Sequence, residues 1–116
     1  MKLFLRTILY AWLLACASAW AQSDYPRQPI KLVVGFASGG ISDVLARAIA
    51  AKMSLNLGQQ VIVENKPGAG TTIAGDWVAR AAPDGYTIWF QDITSHAINA
   101  SLYTRLPYDS VKEIGR

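Results

Sequence analysis

Ile30-Lys31-Leu32-Val33-Val34-Gly35-Phe36-Ala37-Ser38-Gly39-Gly40-Ile41-Ser42-Asp43 is the stretch on which the fold turns. Ile30 to Phe36 is short, apolar and β-branched, the composition of a buried strand. From Ser42 to Leu57 the apolar residues Leu45, Ala48, Ile49, Met53 and Leu57 recur at steps of three and four, as on one face of a helix, and Gly58 follows as its stop. The junction between them carries two adjacent glycines. Glycine removes the Cβ atoms that would hold a ligand off the backbone, and a helix start leaves several N–H groups without intrahelical partners. Together with the positive end of the helix dipole, such donors favour a carboxylate or phosphate. A tight turn with Ser42 as N-cap is the alternative reading of Phe36 to Asp43 taken alone.

The unit repeats twice downstream. Gln60 to Glu64 reads as a second strand, Asn65-Lys66-Pro67-Gly68-Ala69-Gly70 as a turn, and Thr72 to Ala82 as a helix closed by Pro83-Asp84-Gly85. Tyr86 to Phe90 is a third strand, Gln91 to Ser95 a loop, and His96 to Tyr103 a short helix. Alternating strands and helices call for an α/β fold: a parallel sheet with flanking helices and right-handed crossovers. Ligands gather at the carboxyl ends of such strands. That rule puts the loops 37–42, 65–71 and 91–95 on one rim.

The N-terminal segment has a different character. Lys2 and Arg6 precede an uncharged run of 15 residues from Thr7 to Ala21, and Ala19-Trp20-Ala21 offers a small-x-small cleavage site. Residues 1–21 therefore read as a secretory signal peptide, too short for the ~20 apolar residues of a membrane-spanning helix. Leu13-Leu14-Ala15-Cys16 resembles a lipobox, which makes lipid anchoring through Cys16 the alternative, although Leu14 is bulky for its position. Cleavage after Ala21 leaves 95 of the 116 residues, with nine Lys and Arg against eight Asp and Glu. The basic residues are then spread singly, so nucleic-acid binding has no electrostatic footprint. Cys16 is the only cysteine and lies in the removed segment, so the exported part carries no disulfide. A periplasm fits that composition.

Catalytic constellations fare poorly. Ser38 and Ser42 invite a hydrolase reading with Asp43 and His96, but Gly35-Phe36-Ala37-Ser38-Gly39 misplaces both glycines of a nucleophile elbow. Gly68-Ala69-Gly70 after a strand lacks the third glycine of a dinucleotide turn at the required place, and no Gly-Lys-Ser/Thr follows. His96 is the only histidine, and the carboxylates are scattered without metal-ligand spacing, so neither a metal nor a cofactor is expected. His96 reads as a hydrogen bonder at a helix start, with ligand contact as the alternative. Trp77, Trp89, Phe90 and the tyrosines read as core and domain-face residues. Asp43 is the awkward group, because a carboxylate in the first turn repels an anion bound at the same donors. Either it holds the loop and ordered waters by hydrogen bonds, or the ligand brings an ammonium or amide for it to accept from.

Five motifs stand in order: Tyr25-Pro26-x-x-Pro29-Ile30; Phe36-Ala37-x-Gly39-Gly40-x-Ser42-Asp43-x-x-Ala46-Arg47; Val63-Glu64-Asn65-Lys66-Pro67-Gly68-Ala69-Gly70; Ala82-Pro83-Asp84-Gly85-Tyr86-Thr87; and His96-Ala97-Ile98-Asn99-x-Ser101-Leu102-Tyr103. The set resembles the Bug family, extracytoplasmic solute receptors of tripartite tricarboxylate transporters, from Tyr25 to about Lys112. The resemblance implies a two-lobed, type II periplasmic-binding-protein fold that holds a small carboxylate-bearing solute between its lobes, partly through water, and delivers it to membrane permease subunits. It also implies that Phe36, Ala37, Ser38, Gly39, Gly40, Ser42 and Asp43 contact or frame the ligand, with Thr94, Ser95 and His96 bordering it. Ser38, Ile41 and Ser42 stand where the family more commonly has Ala, Ser or Thr, and Thr.

Two lobes need ~300 residues to build both cores, and Lys112-Glu113-Ile114-Gly115-Arg116 departs from the family's Lys-Asp-Phe-x-Pro-Val continuation. The expectation is a partial N-terminal lobe over residues 22–116, non-enzymatic, marginally stable, and offering half of a carboxylate site. The rivals are an α/β enzyme using Ser42, Asp43 and His96 on an anionic substrate, and a module that docks a sensor or permease without binding solute. Neither the solute nor the oligomeric state is legible in the sequence.

Overall fold

The computed structural model describes residues 24–110 and residue 112. The signal-peptide and lipobox readings, on residues 1–21, lie outside the described residues. Strands β1 (Ile30–Val34), β2 (Val61–Asn65) and β3 (Thr87–Phe90) form a parallel sheet in the order β2-β1-β3. Val34 pairs with Asn65 on one side and Phe90 on the other, so all three strands end on one edge. β1 is central and covered on both faces, which is why its sequence is almost continuously apolar. Ile30, Val33 and Val34 are fully buried.

Helix α1 (Ile41–Leu57) joins β1 to β2 and covers one face. Ala46 and Ala50 pack there with Ile30, Leu32, Val34 and Val61, and Phe36, Met53, Val63, Tyr86, Ile88 and Phe90 close around them. The helix length follows the sequence expectation, and Gly58 ends it in the left-handed conformation at φ 64°. The buried stripe does not follow it. Leu45, Ile49 and Leu57 are exposed, whereas the inward positions are Asp43, Ala46 and Ala50, with Met53 half-buried. Small side chains let the helix approach the sheet closely, and a hydrogen-bonded carboxylate occupies the first buried position, so the inward stripe is turned from the one marked by large apolar residues.

Helix α2 (Thr72–Ala79), preceded by a 3-10 turn over Ala69–Thr71, lies against the opposite face. It ends three residues before the expected Ala82, where Arg80 N–H donates to the Asp76 carbonyl at 3.2 Å and its guanidinium Nε to the Asp76 carboxylate at 2.8 Å. Tyr108 packs directly on α2: a Cβ at Gly75 would strike its ring. Tyr108 also meets Trp89 of β3 edge to face at 5.9 Å, and burial pushes the Tyr108 hydroxyl pKa up. Trp77 of α2 lies under two ammonium groups, Lys66 Nζ at 4.5 Å and Lys31 Nζ at 5.4 Å from its ring centre, with Glu64 accepting from Lys66 at 2.8 Å. This cation–π contact fastens α2 to the sheet. Trp77 and Trp89 are thus packing residues, as their sequence setting suggests.

Helix α3 (Ile93–Leu102) follows β3 and begins three residues earlier than the sequence pattern indicates. Asp92 is its N-cap, accepting from Ser95 N–H at 2.8 Å. Thr94 and Ser95 are accordingly in the first turn of a helix, not in a loop, and His96 follows them in the same helix.

Candidate functional site

The strand order fixes where a site can form. The chain leaves β1 towards β2 by way of α1, then crosses back over β1 through α2 to reach β3. Connections therefore diverge at the carboxyl ends of β1 and β3, the place where open parallel sheets leave a crevice. Of the three helices that follow the carboxyl ends of the strands, two flank that divergence, α1 after the loop Gly35 to Gly40 and α3 after Gln91 and Asp92.

At α1 the cap is Gly40, with φ −76° and ψ 171° and no side-chain hydrogen bond. Ser42 is therefore the second helical residue and not the N-cap that the sequence offered. The first helical bond runs from Val44 N–H to the Gly40 carbonyl at 3.0 Å, so the amides of Ile41, Ser42 and Asp43 precede the helical ladder. Gly39 has φ 85°, a conformation that favours glycine, and its N–H donates to Asp43 Oδ2 at 2.9 Å. Ala37, Ser38, Gly39 and Gly40 are exposed; Phe36 is half-buried against the core, and its carbonyl accepts from Asn65 Nδ2 at 3.1 Å.

Asp43 is turned inward and bonded within the loop. It is only 3% exposed. Its Oδ2 accepts from Arg47 Nε at 3.0 Å and from Gly39, while Oδ1 accepts from Asn65 Nδ2 at 3.0 Å. Arg47 Nη2 donates in turn to Asn65 Oδ1 at 3.2 Å. The Arg47 guanidinium, then the Gly39 amide and the Asn65 side chain, hold the Asp43 carboxyl well below the usual carboxylate range. Of the two readings the sequence left open, this is loop-holding. Arg47 sits one turn after Asp43 and was legible as its partner by spacing; Asn65, on another strand, carried no local signal.

At α3 an acid of the chain itself already takes one of the helix-start donors. Asp92 accepts from Ser95 N–H, its carboxyl pKa is lowered by that bond, and His96 N–H reaches the Asp92 carbonyl at 3.2 Å. The His96 ring meets Trp89 edge to face at 5.6 Å. Asp43, engaged by Gly39, Arg47 and Asn65, does not orient His96, so Ser42, Asp43 and His96 are not assembled as a relay. Among the described residues no group of three His, Cys, Asp or Glu side chains is placed to hold a metal ion.

The third loop joins the two sides. Thr71 Oγ1 accepts from Gln91 Nε2 at 2.7 Å and from Asn99 Nδ2 at 3.2 Å, and Asn99 Nδ2 also donates to the Gly70 carbonyl at 2.6 Å. Tyr103 hydroxyl donates to the Ala69 carbonyl at 3.3 Å. Thr71 also sits against the β1 exit, where a Cβ on Gly35 would come within 2.8 Å of the Thr71 Cβ. At the rim itself, the first residues of α1 and α3 are bare isoleucines: Ile41 is 82% and Ile93 83% exposed.

The family model for the tripartite tricarboxylate transporter family receptor matches residues 45–116. The chain belongs to that family. A UPF0065 protein of Bordetella pertussis is 44% identical over 107 residues, which are 92% of this chain and 33% of that protein. The solved periplasmic binding protein BugD is 42% identical with TM-score 0.70, over 77% of this chain and 29% of its own. MatC of Rhodopseudomonas palustris, solved with bound malate, is 40% identical with TM-score 0.72, over 77% of this chain and 30% of its own. The chain thus spans about a third of the length of the curated relatives it matches, and its Bug-like sheet and helices correspond to part of a periplasmic-binding-protein fold.

Proposed function

We propose that this family member is part of a periplasmic, non-enzymatic receptor for small carboxylate-bearing solutes, exported by residues 1–21 and passing solute to the membrane permease of a tripartite tricarboxylate-type transporter. The observation that carries the reading is the start of α1: a glycine-capped helix N-terminus at the divergent edge of a parallel sheet, with its one nearby acid turned inward and paired. Malate in the related MatC supports a carboxylate as the guest. Phe36, Ala37, Ser38, Gly39, Gly40, Ser42 and Asp43 frame the solute, mostly through main chain, and Thr94, Ser95 and His96 border it from α3.

Residues 22–116 supply one side of the cleft in this reading. Enclosure by an opposite lobe is what desolvates a carboxylate and strengthens its hydrogen bonds. Titration of the purified chain with malate, followed by amide NMR, is the test. Shifts centred on Gly39 to Ser42, with an affinity no tighter than about micromolar, are expected. Sub-micromolar binding overturns the half-site, and a malate response elsewhere, or none, overturns the receptor reading. Turnover lost by orders of magnitude in His96→Ala would mark an enzyme instead.

A further inference from the structure

We propose that Arg47 is a positioning residue for the solute's charge: by pairing with Asp43 it lets a helix start that contains an acid accept an anion. The proposal rests on the receptor reading above. Asp43 is the acid nearest in sequence to the α1 amides, and its side chain is 4% exposed against 53% for Arg47. A carboxylate so placed holds the loop through Gly39 N–H, yet uncompensated it opposes any anion at the amides of Ile41 and Ser42. Arg47 reconciles the two roles. Its Nε binds the same Oδ2 that Gly39 uses, and its Nη2 engages Asn65, whose amide holds the other oxygen and the Phe36 carbonyl. The loop geometry is thereby kept while the charge is cancelled.

A purely structural ion pair and a charge-cancelling one differ in sign. Removing either partner of a structural pair loosens the loop and weakens binding. Removing the cation from a charge-cancelling pair weakens binding, whereas removing the acid strengthens it or leaves it unchanged. Malate titration of the purified chain and its variants by amide NMR reads this directly, with circular dichroism confirming that each variant folds. Arg47→Met is expected to bind malate roughly three- to tenfold more weakly at low salt, the effect of about one unit charge a few ångströms from the guest. That gap closes near 1 M salt, where charges are screened beyond about 3 Å. Asp43→Asn binds at least as tightly as the unaltered chain, Arg47→Lys stays close to it, and Asp43→Asn with Arg47→Met returns to within about twofold, both charges then being gone.

Equal affinity for Arg47→Met and the unaltered chain overturns the proposal, as does an Asp43→Asn variant that folds and loses affinity. If Arg47→Met does not fold, the Asp43→Asn and Arg47→Lys results decide alone. An unaltered chain that gives no malate response fails at the receptor reading itself, an outcome distinct from any ranking of the variants.

Discussion

Helices α1 and α3 begin at the same edge of one sheet, and they begin in opposite ways. α3 is capped by Asp92, whose carboxylate accepts from Ser95 N–H of the same helix. α1 has Gly40 where a cap would be, and the acid in its first turn is folded back onto Arg47 and Asn65. Stability favours the first arrangement, since a side-chain cap satisfies donors that glycine leaves to solvent. A helix start that carries its own carboxylate attracts another less, which under the proposed function makes α1 the side that receives an anion and α3 the frame.

The largest effect is expected where the two sides meet. Gly35→Ala drives a methyl into Thr71, which carries the bonds to Gln91 and Asn99, and should destabilise the fold by about 2 kcal/mol; chemical denaturation measures it, and a neutral result would show that the loops part freely. Asp92→Ala removes the α3 cap and should cost about 1 kcal/mol while leaving malate affinity intact or improved. Tighter binding with malate-induced amide shifts centred on Ile93 to Ser95 would place the anion at α3 and reverse the comparison. Gly40→Asp makes α1 resemble α3. Its extended backbone admits any residue, so stability should rise by only a few tenths of a kcal/mol while malate binding weakens.

The pH response is smallest near neutrality. Asp43 and Asp92 both have carboxyl pKa values lowered in the folded chain. Their contribution is fully present above the unfolded aspartate value, about 3.9, and is lost as pH falls from there through the lower folded values. Thermal melts should therefore be flat with respect to these two groups between pH 5 and 8 (roughly, on that reference value) and decline only in stronger acid. Melts that stay flat in stronger acid as well would mean that the Arg47 and Ser95 bonds do not hold in solution.

What the sequence disclosed follows the range of the interactions involved. β1 was legible because a central strand covered on both faces must be apolar throughout, and the αL stop at Gly58 because few other residues take that conformation. The rim of three loops followed from strand and helix alternation. The inward stripe of α1 departs from the large apolar residues because the small Ala46 and Ala50, with the paired Asp43, fit closest to the sheet. α3 starts at Ile93 and not at His96 because Asp92 caps it through Ser95, a signal carried by polar residues outside the apolar pattern. Asn65 binding Asp43 across 22 residues was beyond local pattern, being visible only once β2 lies beside β1.

Ile41 and Ile93 stand bare at the first positions of the two helices. If the edge is sealed as the proposed function requires, both leave water, and closure then carries a negative heat-capacity change in addition to any charge pairing. Calorimetry over a range of temperatures would register that slope even where the enthalpy at one temperature happens to vanish, which makes the hydrocarbon at the rim a thermal label for closure.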